Sequence, residues 1–140
     1  MKFWDSSAII PLCFKEPSSE AVTHVINADP DIIVWWATRV ECITAVARRI
    51  REGAIGTNTE AHVKGILSAL AEEWSEVQPN EAVRQRAERL LMLHPLRAAD
   101  AFQLASALIW SQESPAGLDI VCLDQNLRQA SYREEFTVLP

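Results

Sequence analysis

Four acidic residues, widely separated along the chain, have the type and setting to form a metal site. They are Asp5, Glu41, Asp100 and Asp124, and each lies where a strand or loop is followed by a helix. Asp100 is the most informative, because the run 98–105 around it is too apolar to face water, and a buried charge needs a partner, a metal or a shifted pKa. If the fold gathers these carboxylates, their repulsion raises some of their pKa values unless a hard cation neutralises them, and oxygen-only ligands favour Mg²⁺ or Mn²⁺.

Helix capping explains each of these acids when it is taken alone. Asp and Glu are favoured at helix N-caps and in first turns, so Asp5, Asp100 and Asp124 fit such positions. Glu41 has the spacing of a capping box with Thr38. The neighbouring residues nevertheless predict low exposure for all four acids, which favours a shared metal cleft; these neighbours are Trp4, Cys42, Ala101 and Leu123.

Three polar residues beside the acids are candidates for substrate contacts. Ser6 and Ser7 follow Asp5 and can hydrogen-bond a ligand carboxylate or a substrate phosphate, or cap the next helix. Arg97 lies one turn before Asp100 and can hold a substrate phosphate or pair with an acid. No cysteine and histidine spacing typical of zinc occurs.

Strands alternate with helices along the chain and predict an α/β/α sandwich with a mostly parallel sheet. Strands are predicted at Phe3-Trp4, Ile32–Trp35, Ser75–Val77 (weakly), Ile120–Leu123 and Phe136–Leu139. Helices are predicted at about 8–14 (broken near Pro11), 20–27, 38–53, 59–74, from Asn80 to about 91, 97–111 and through Leu127 and Ala130. The two long helices after the second strand form a helical hairpin insertion, and residues 1–140 form a single domain.

The expected sheet also predicts where a ligand binds. Open parallel sheets bind ligands beyond the carboxyl ends of their strands, at the point where the strand order reverses. Asp5 ends the first strand and Asp124 ends the fourth. If these strands are neighbours, both carboxylates enter one crevice.

Two further features each allow two interpretations. Trp35 and Trp36 cannot easily both enter one core, so one ring lies at an interface, or both fill a thick layer between helix and sheet. Arg48, Arg49 and Arg51 form the densest basic cluster, which is either an RNA track or a solvated helix face.

Composition limits the class of protein. The 140 residues include 49% hydrophobic and 23% charged side chains, which is typical of a globular chain and not of a disordered one. The net charge of −6 argues against a general nucleic-acid coat but not against a nuclease with acids around metal ions. Three separated cysteines in apolar surroundings and no apolar stretch of membrane-spanning length predict a soluble, cytoplasmic protein with reduced thiols and no membrane contact.

Four segments of the chain resemble a known family. They are Phe3–Ile10, Glu41 within a helix, Leu96–Ala101 and Cys122–Asp124. In order and spacing, over essentially the full length, they resemble the PIN-domain ribonucleases, in particular the VapC-type toxins of bacterial and archaeal toxin-antitoxin pairs. The most specific segment is Leu-Arg-x-x-Asp-Ala followed by an apolar helix.

The resemblance implies an activity, a cofactor and partners. Asp5, Glu41, Asp100 and Asp124 match the acidic positions of the family and are expected to be catalytic metal ligands. The cofactor is then Mg²⁺ or Mn²⁺, and the substrate is single-stranded or loop RNA, cut by hydrolysis. A cognate antitoxin protein and a homodimer are the expected protein partners.

Two other functions stay open at this point. One is a non-catalytic binding module on the same fold, in which the carboxylates are only helix caps. The other is a different Mg²⁺-dependent α/β phosphotransfer protein. A dehalogenase-type Asp-x-Asp is missing because position 7 is Ser7, and the late-strand lysine of receiver domains is missing because the only lysines are Lys2, Lys15 and Lys64.

Overall fold

The computed structural model describes all 140 residues and has five strands and seven helices. The strands are β1 (Lys2–Trp4), β2 (Ile32–Trp35), β3 (Ser75–Val77), β4 (Asp119–Val121) and β5 (Thr137–Leu139). The helices are α1 (Ser6–Cys13), α2 (Ser19–Ala28), α3 (Thr38–Arg51), α4 (Thr57–Glu73), α5 (Glu81–Leu93), α6 (Ala98–Trp110) and α7 (Gln125–Arg133).

All five strands are parallel, in the order β3-β2-β1-β4-β5. β1 is central, and Phe3 pairs with Ile33 of β2 on one side and with Ile120 of β4 on the other. The chain adds β2 and β3 on one side of β1 and then returns to add β4 and β5 on the other. The strand order therefore reverses between β1 and β4, so the predicted neighbourhood of these two strands is confirmed.

Helices cover both faces of the sheet and form two apolar cores. Alternation along β1 sends Trp4 into the core made with α1–α4 and Phe3 into the core made with α5–α7, and neither side chain is exposed to solvent. Strand β2 is a continuous apolar run because it is buried on both faces of the parallel sheet, whereas the edge strand β3 is polar and largely exposed. The predicted α/β/α architecture is confirmed, including the hairpin of α3 and α4 between β2 and β3.

Helix α6 is the most buried helix, as its composition predicts. Its buried residues include Ala101, Ala105 and Ala107, whose small side chains allow close packing against α5 and β2. Leu104 and Leu108 fill the space between α6 and its neighbours. The amino end of α6 is thus fixed at the carboxyl edge of the sheet.

Two local predictions are wrong. Helix α1 continues through Pro11, because the buried ring removes only one amide donor and the Ile10 carbonyl still accepts a hydrogen bond from the Phe14 amide at 3.0 Å. The fourth strand ends at Val121, so Leu123 lies in the connection to α7.

The two adjacent tryptophans have different environments. Trp35 is buried and stacks on Phe102, with ring centroids 5.6 Å apart. Trp36 is 49% exposed. Cys13, Cys42 and Cys122 are buried and unpaired. No helix is both long and apolar enough to cross a membrane.

Candidate active site

Asp5 is held in place by the sheet and by the start of α1. Its amide donates to the Val121 carbonyl of β4 at 3.0 Å, which continues the β1–β4 pairing by one residue. Its side chain caps α1, because Oδ2 accepts hydrogen bonds from the Ser7 amide, at 3.0 Å, and from the Ser7 hydroxyl. The side chain is only 4% exposed. The carboxylate therefore lies at the carboxyl edge of the sheet, where the strand order reverses.

The pKa of Asp5 shows that other acids lie close to it. This pKa is raised to about 6, mainly by burial, and the charges of Glu41 and Asp100 add to the increase while the two Ser7 hydrogen bonds oppose it. The pKa of Asp100 is also raised, first by burial and then by the charge of Asp124. The four acids thus share one electrostatic environment.

Glu41 takes part in a different contact from the one its spacing predicts. Its Oε2 accepts hydrogen bonds from the Ser6 hydroxyl at 2.7 Å and from the Gln103 side-chain amide at 2.9 Å. The predicted capping box with Thr38 is wrong: α3 begins after Ala37, and the Thr38 hydroxyl is buried against Gln103. Donors from α1 and α6 replace the local cap, so Glu41 is turned toward the edge of the sheet.

Asp100 lies in the first turn of α6 and is half-buried. Its Oδ2 accepts a hydrogen bond from the Arg97 amide at 3.3 Å. The charge of Arg97, whose residue is exposed, lowers the pKa of Asp100 and so partly opposes the effects of burial and of Asp124. Arg97 is therefore positioned near the acids with its side chain open to a ligand.

Asp124 caps α7 and is more exposed than its neighbours predict. Its Oδ1 accepts a hydrogen bond from the Leu127 amide at 2.8 Å. The prediction of low exposure for all four acids holds for Asp5 and is wrong for Asp124, which is exposed together with Gln125 and Asn126 at the start of α7. The apolar Leu123 before it is not enough to bury it.

Ser7 connects the two strands that carry Asp5 and Asp124. Besides donating to Asp5, its hydroxyl accepts a hydrogen bond from the Leu123 amide at 2.9 Å. The buried Cys122 thiol lies 3.7 Å from Asp5 Oδ2 and 3.6 Å from the Asp124 carbonyl. Burial raises the pKa of Cys122, so this thiol stays neutral beside the acids.

The basic cluster on α3 is divided between structural and exposed residues. Arg49 forms an ion pair with Glu16, and its guanidinium lies 4.0 Å from the centre of the Phe14 ring. Arg48 and Arg51 are exposed. Arg49 therefore stabilises the contact between α3 and the end of α1, and only the other two can face a ligand.

Gln103 was not identified from the sequence, although it contacts two residues at this edge of the sheet. A sequence signal did exist, because Gln103 is the amide in the apolar stretch of α6 and lies three residues after Asp100, on the same helix face. A polar side chain at such a position needs a buried partner.

Every one of the four carboxylates has one oxygen in a hydrogen bond and one oxygen without. The bonded atoms are Asp5 Oδ2, Glu41 Oε2, Asp100 Oδ2 and Asp124 Oδ1. Capping and ligand binding are therefore compatible, because each acid can be held through one oxygen and bind a cation through the other. This oxygen-only donor set fits Mg²⁺ or Mn²⁺. No three His, Cys, Asp or Glu side chains are close enough together in this structure to hold an ion between them.

The comparison with protein families now agrees with the geometry. The PIN domain model matches residues 2–130, and the chain belongs to the PIN domain family. The resemblance found in the sequence is thereby confirmed. No curated protein matches the chain at a significant level.

Solved structures of low sequence identity share the fold. The Mycobacterium tuberculosis VapC20 toxin, described as cleaving the sarcin-ricin loop, is 16% identical with a TM-score of 0.70, and the match covers 100% of both chains. FitAcB of Neisseria gonorrhoeae is 16% identical with a TM-score of 0.68, over 100% of this chain and 97% of that one. A toxin-antitoxin complex from Klebsiella pneumoniae is 15% identical with a TM-score of 0.62, and the match covers 90% of this chain and 89% of that one.

The raised pKa of Asp5 predicts that the metal-free protein is less stable at neutral pH than at mildly acidic pH. This pKa is about 6 in the folded protein and returns to an ordinary value near 3.8 on unfolding. Between these values the folded protein binds more protons than the unfolded chain, so stabilisation that is complete below about pH 4 is lost as the pH rises through 6. The full difference corresponds to about 3 kcal/mol, of which about 2 kcal/mol falls between pH 4.5 and pH 7.

Urea unfolding with a chelator present measures this dependence. When the pH is lowered from 7 to 4.5, the free energy of unfolding of the wild type should increase by about 2 kcal/mol more than that of the Asp5→Asn variant, whose side chain does not titrate. The exposed Asp31→Asn variant is the matched control and should follow the wild type. The same pH dependence in the wild type and in Asp5→Asn would contradict the assignment.

Proposed function

We propose that the chain is an Mg²⁺- or Mn²⁺-dependent endoribonuclease and acts as the toxin of a toxin-antitoxin pair. The observation that carries this proposal is the set of four carboxylates, each with one free oxygen, at the carboxyl edge of the sheet of a PIN domain. The proposed substrate is single-stranded or loop RNA, and the proposed products carry a 5′-phosphate and a 3′-hydroxyl.

Asp5 and Asp100 are the principal proposed ligands, with Glu41 or Asp124 contributing to a second position. When bound, a divalent cation supplies Lewis-acid stabilisation of the phosphate and activation of a water molecule. The protein's contribution is to hold the acids together against their repulsion. Hydrogen bonds from Ser6 and the α1 and α6 amino ends provide this, because each fixes one carboxylate oxygen.

No protein side chain is proposed as the nucleophile. The Ser7 hydroxyl donates to Asp5 and the Ser6 hydroxyl donates to Glu41, so both are engaged with carboxylates. Burial raises the pKa of Cys122 and thus disfavours its thiolate. Water is therefore the proposed attacking group. Arg97, exposed beside Asp100, is proposed to hold a substrate phosphate.

Exposed apolar residues support protein partners. Along α3 and just before it, Trp36, Val40, Ile43 and Ile50 are each more than one-third exposed. Such a row on one helix is typical of an interaction surface. An antitoxin and a second copy of the chain are the proposed partners. The Klebsiella pneumoniae structure of similar fold is itself a toxin-antitoxin complex. A cytoplasmic location is proposed from the three unpaired cysteines.

One observation favours a second candidate, a non-catalytic binding module. Asp5, Asp100 and Asp124 all accept hydrogen bonds from amides at helix starts, and no three acids converge as they stand. If these residues were caps alone, the protein would bind no divalent cation. A Mn²⁺ titration of thermal stability distinguishes the two functions, since a cation that binds only the folded protein raises its melting temperature.

The Asp100→Asn substitution is predicted to abolish metal-dependent RNA cleavage while the protein stays folded. The amide oxygen can still accept from the Arg97 amide, so only the charge and the metal-binding oxygen are lost. Activity should fall by more than about 100-fold, because loss of outer-shell partners of metal sites already costs 10- to 100-fold. Cleavage of labelled RNA with Mn²⁺ and growth after induction are the measurements.

Asp31→Asn is the matched control for this substitution. Asp31 is exposed and precedes β2, at the opposite edge of the sheet. This variant should cleave RNA like the wild type. A folded Asp100→Asn protein with full activity would refute the site assignment.

Asp124 allows the capping and ligand roles to be separated. Asp124→Asn retains an oxygen for the Leu127 amide, so unfolding free energy should change by less than about 0.5 kcal/mol, whereas Asp124→Ala should lose about 1 kcal/mol. Both variants should lose Mn²⁺-dependent activity if Asp124 is a ligand. Unchanged activity in both variants would restrict Asp124 to the cap of α7.

A further inference from the structure

Gln103 is a buried amide whose position packing alone does not explain. It is 1% exposed and lies in α6 between Phe102 and Leu104. Its Oε1 is buried and has no hydrogen-bond partner. Burying an unpaired acceptor is unfavourable, and a methionine of similar length would avoid that cost. The amide therefore has a role other than filling space.

The donor side of Gln103 is fully used. Its Nε2 donates one hydrogen to Thr38 Oγ1 at 3.1 Å and the other to Glu41 Oε2 at 2.9 Å. An amide nitrogen has only these two hydrogens. The opposite orientation of the amide would place Oε1 against the carboxylate, acceptor against acceptor. Glu41, whose carboxylate can only accept, thus determines that the nitrogen of the amide faces it, and the completely buried Thr38 holds that nitrogen through the second hydrogen bond.

A second donor acts on the same oxygen of Glu41. The Ser6 hydroxyl, from the start of α1, donates to Oε2 at 2.7 Å. Ser6 and Gln103 belong to helices on opposite faces of the sheet, so the two bonds connect both helical layers through one carboxylate oxygen. Glu41 Oε1 has no hydrogen bond. The side chain is therefore held through one oxygen while the other is available.

We propose that Gln103 is a positioning residue, which orients Glu41 so that Oε1 can bind the divalent cation. The inference rests on the proposed function and adds to it a residue that contacts neither substrate nor cation. Thr38 in turn holds the Gln103 side chain in place through its own hydrogen bond to Nε2. The chain of contacts runs from Thr38 through Gln103 to Glu41, with Ser6 on the other side of the carboxylate.

The test is a titration of the metal-free protein with Mn²⁺. Electron paramagnetic resonance measures the concentration of free Mn²⁺ at each step and so gives the affinity directly. Gln103→Met removes the donor and keeps the length of the side chain. We expect Mn²⁺ binding to weaken by roughly 10- to 100-fold, the usual effect of losing an outer-shell partner, without a decrease in melting temperature. A crystal structure of this variant should show Glu41 in a different rotamer.

Ser106→Ala is the matched control, because Ser106 is a buried polar residue one turn further along α6 whose hydroxyl donates to the Phe102 carbonyl and not to an acid. It should bind Mn²⁺ like the wild type. Thr38→Val provides a second variant, which removes the acceptor that holds the amide, and it should weaken binding at least about threefold. This variant decides the matter if Gln103→Met does not fold.

The outcomes separate this inference from the proposed function. Wild-type affinity in folded Gln103→Met, or an equal loss in Ser106→Ala, would overturn the positioning role and leave the metal site intact. If Gln103→Met does not fold, wild-type Mn²⁺ affinity in Thr38→Val would likewise overturn the positioning role. If the wild type itself bound no Mn²⁺, both the positioning role and the proposed metal-dependent function would be overturned. The titration of the wild type alone tests this.

Discussion

The pairing of β1 with both β2 and β4 is the constraint on which the rest of the site depends. It places the carboxyl end of β1 in the centre of the sheet, at the reversal of strand order, and Asp5 is the first residue beyond that end. The Asp5 amide continues the pairing to β4, so the backbone of Asp5 is fixed at this edge of the sheet. Its burial raises its pKa and makes an isolated charge unfavourable there.

The other acids approach Asp5 because three helices begin at the same edge of the sheet. Glu41 and Asp100 lie in the first turns of α3 and α6, and Asp124 precedes α7. Amides at the starts of α1, α6 and α7 stabilise one oxygen of Asp5, Asp100 and Asp124. The side chains of Ser6 and Gln103 do the same for Glu41. The arrangement keeps like charges close together without a direct partner for every oxygen. The divalent cation proposed above would offset the repulsion among these charges.

Much of the fold could be predicted from local pattern. Apolar runs such as Ile32–Trp35 predict buried parallel strands, and the apolar composition of α6 predicts its central position, because both depend on burial that the sequence encodes directly. The order of the strands in the sheet is not a local property. The neighbourhood of β1 and β4 was therefore an assumption from the general behaviour of such sheets, which the structure confirms.

The candidate site was predictable in its acids but not in its contacts. Glu41 and Thr38 have the spacing of a capping box, yet donors 35 and 62 residues away from Glu41 replace it, and no local rule includes them. Asp124 is exposed although an apolar residue precedes it, because it lies at the start of α7, where the polar residues that follow it are exposed as well. Gln103 was not predicted as a site residue because its role depends on Glu41, which lies in another helix.

The most direct test of the account is the location of Mn²⁺ by anomalous scattering in crystals of the wild-type protein. We expect an anomalous peak at the carboxyl edge of the sheet, with Asp5 and Asp100 coordinating the ion. Glu41 should reach the ion or a second one through Oε1 while Oε2 keeps its bonds to Ser6 and Gln103. No peak at millimolar Mn²⁺, or a peak bound only by residues elsewhere, would contradict the central claim that these four acids form a metal site.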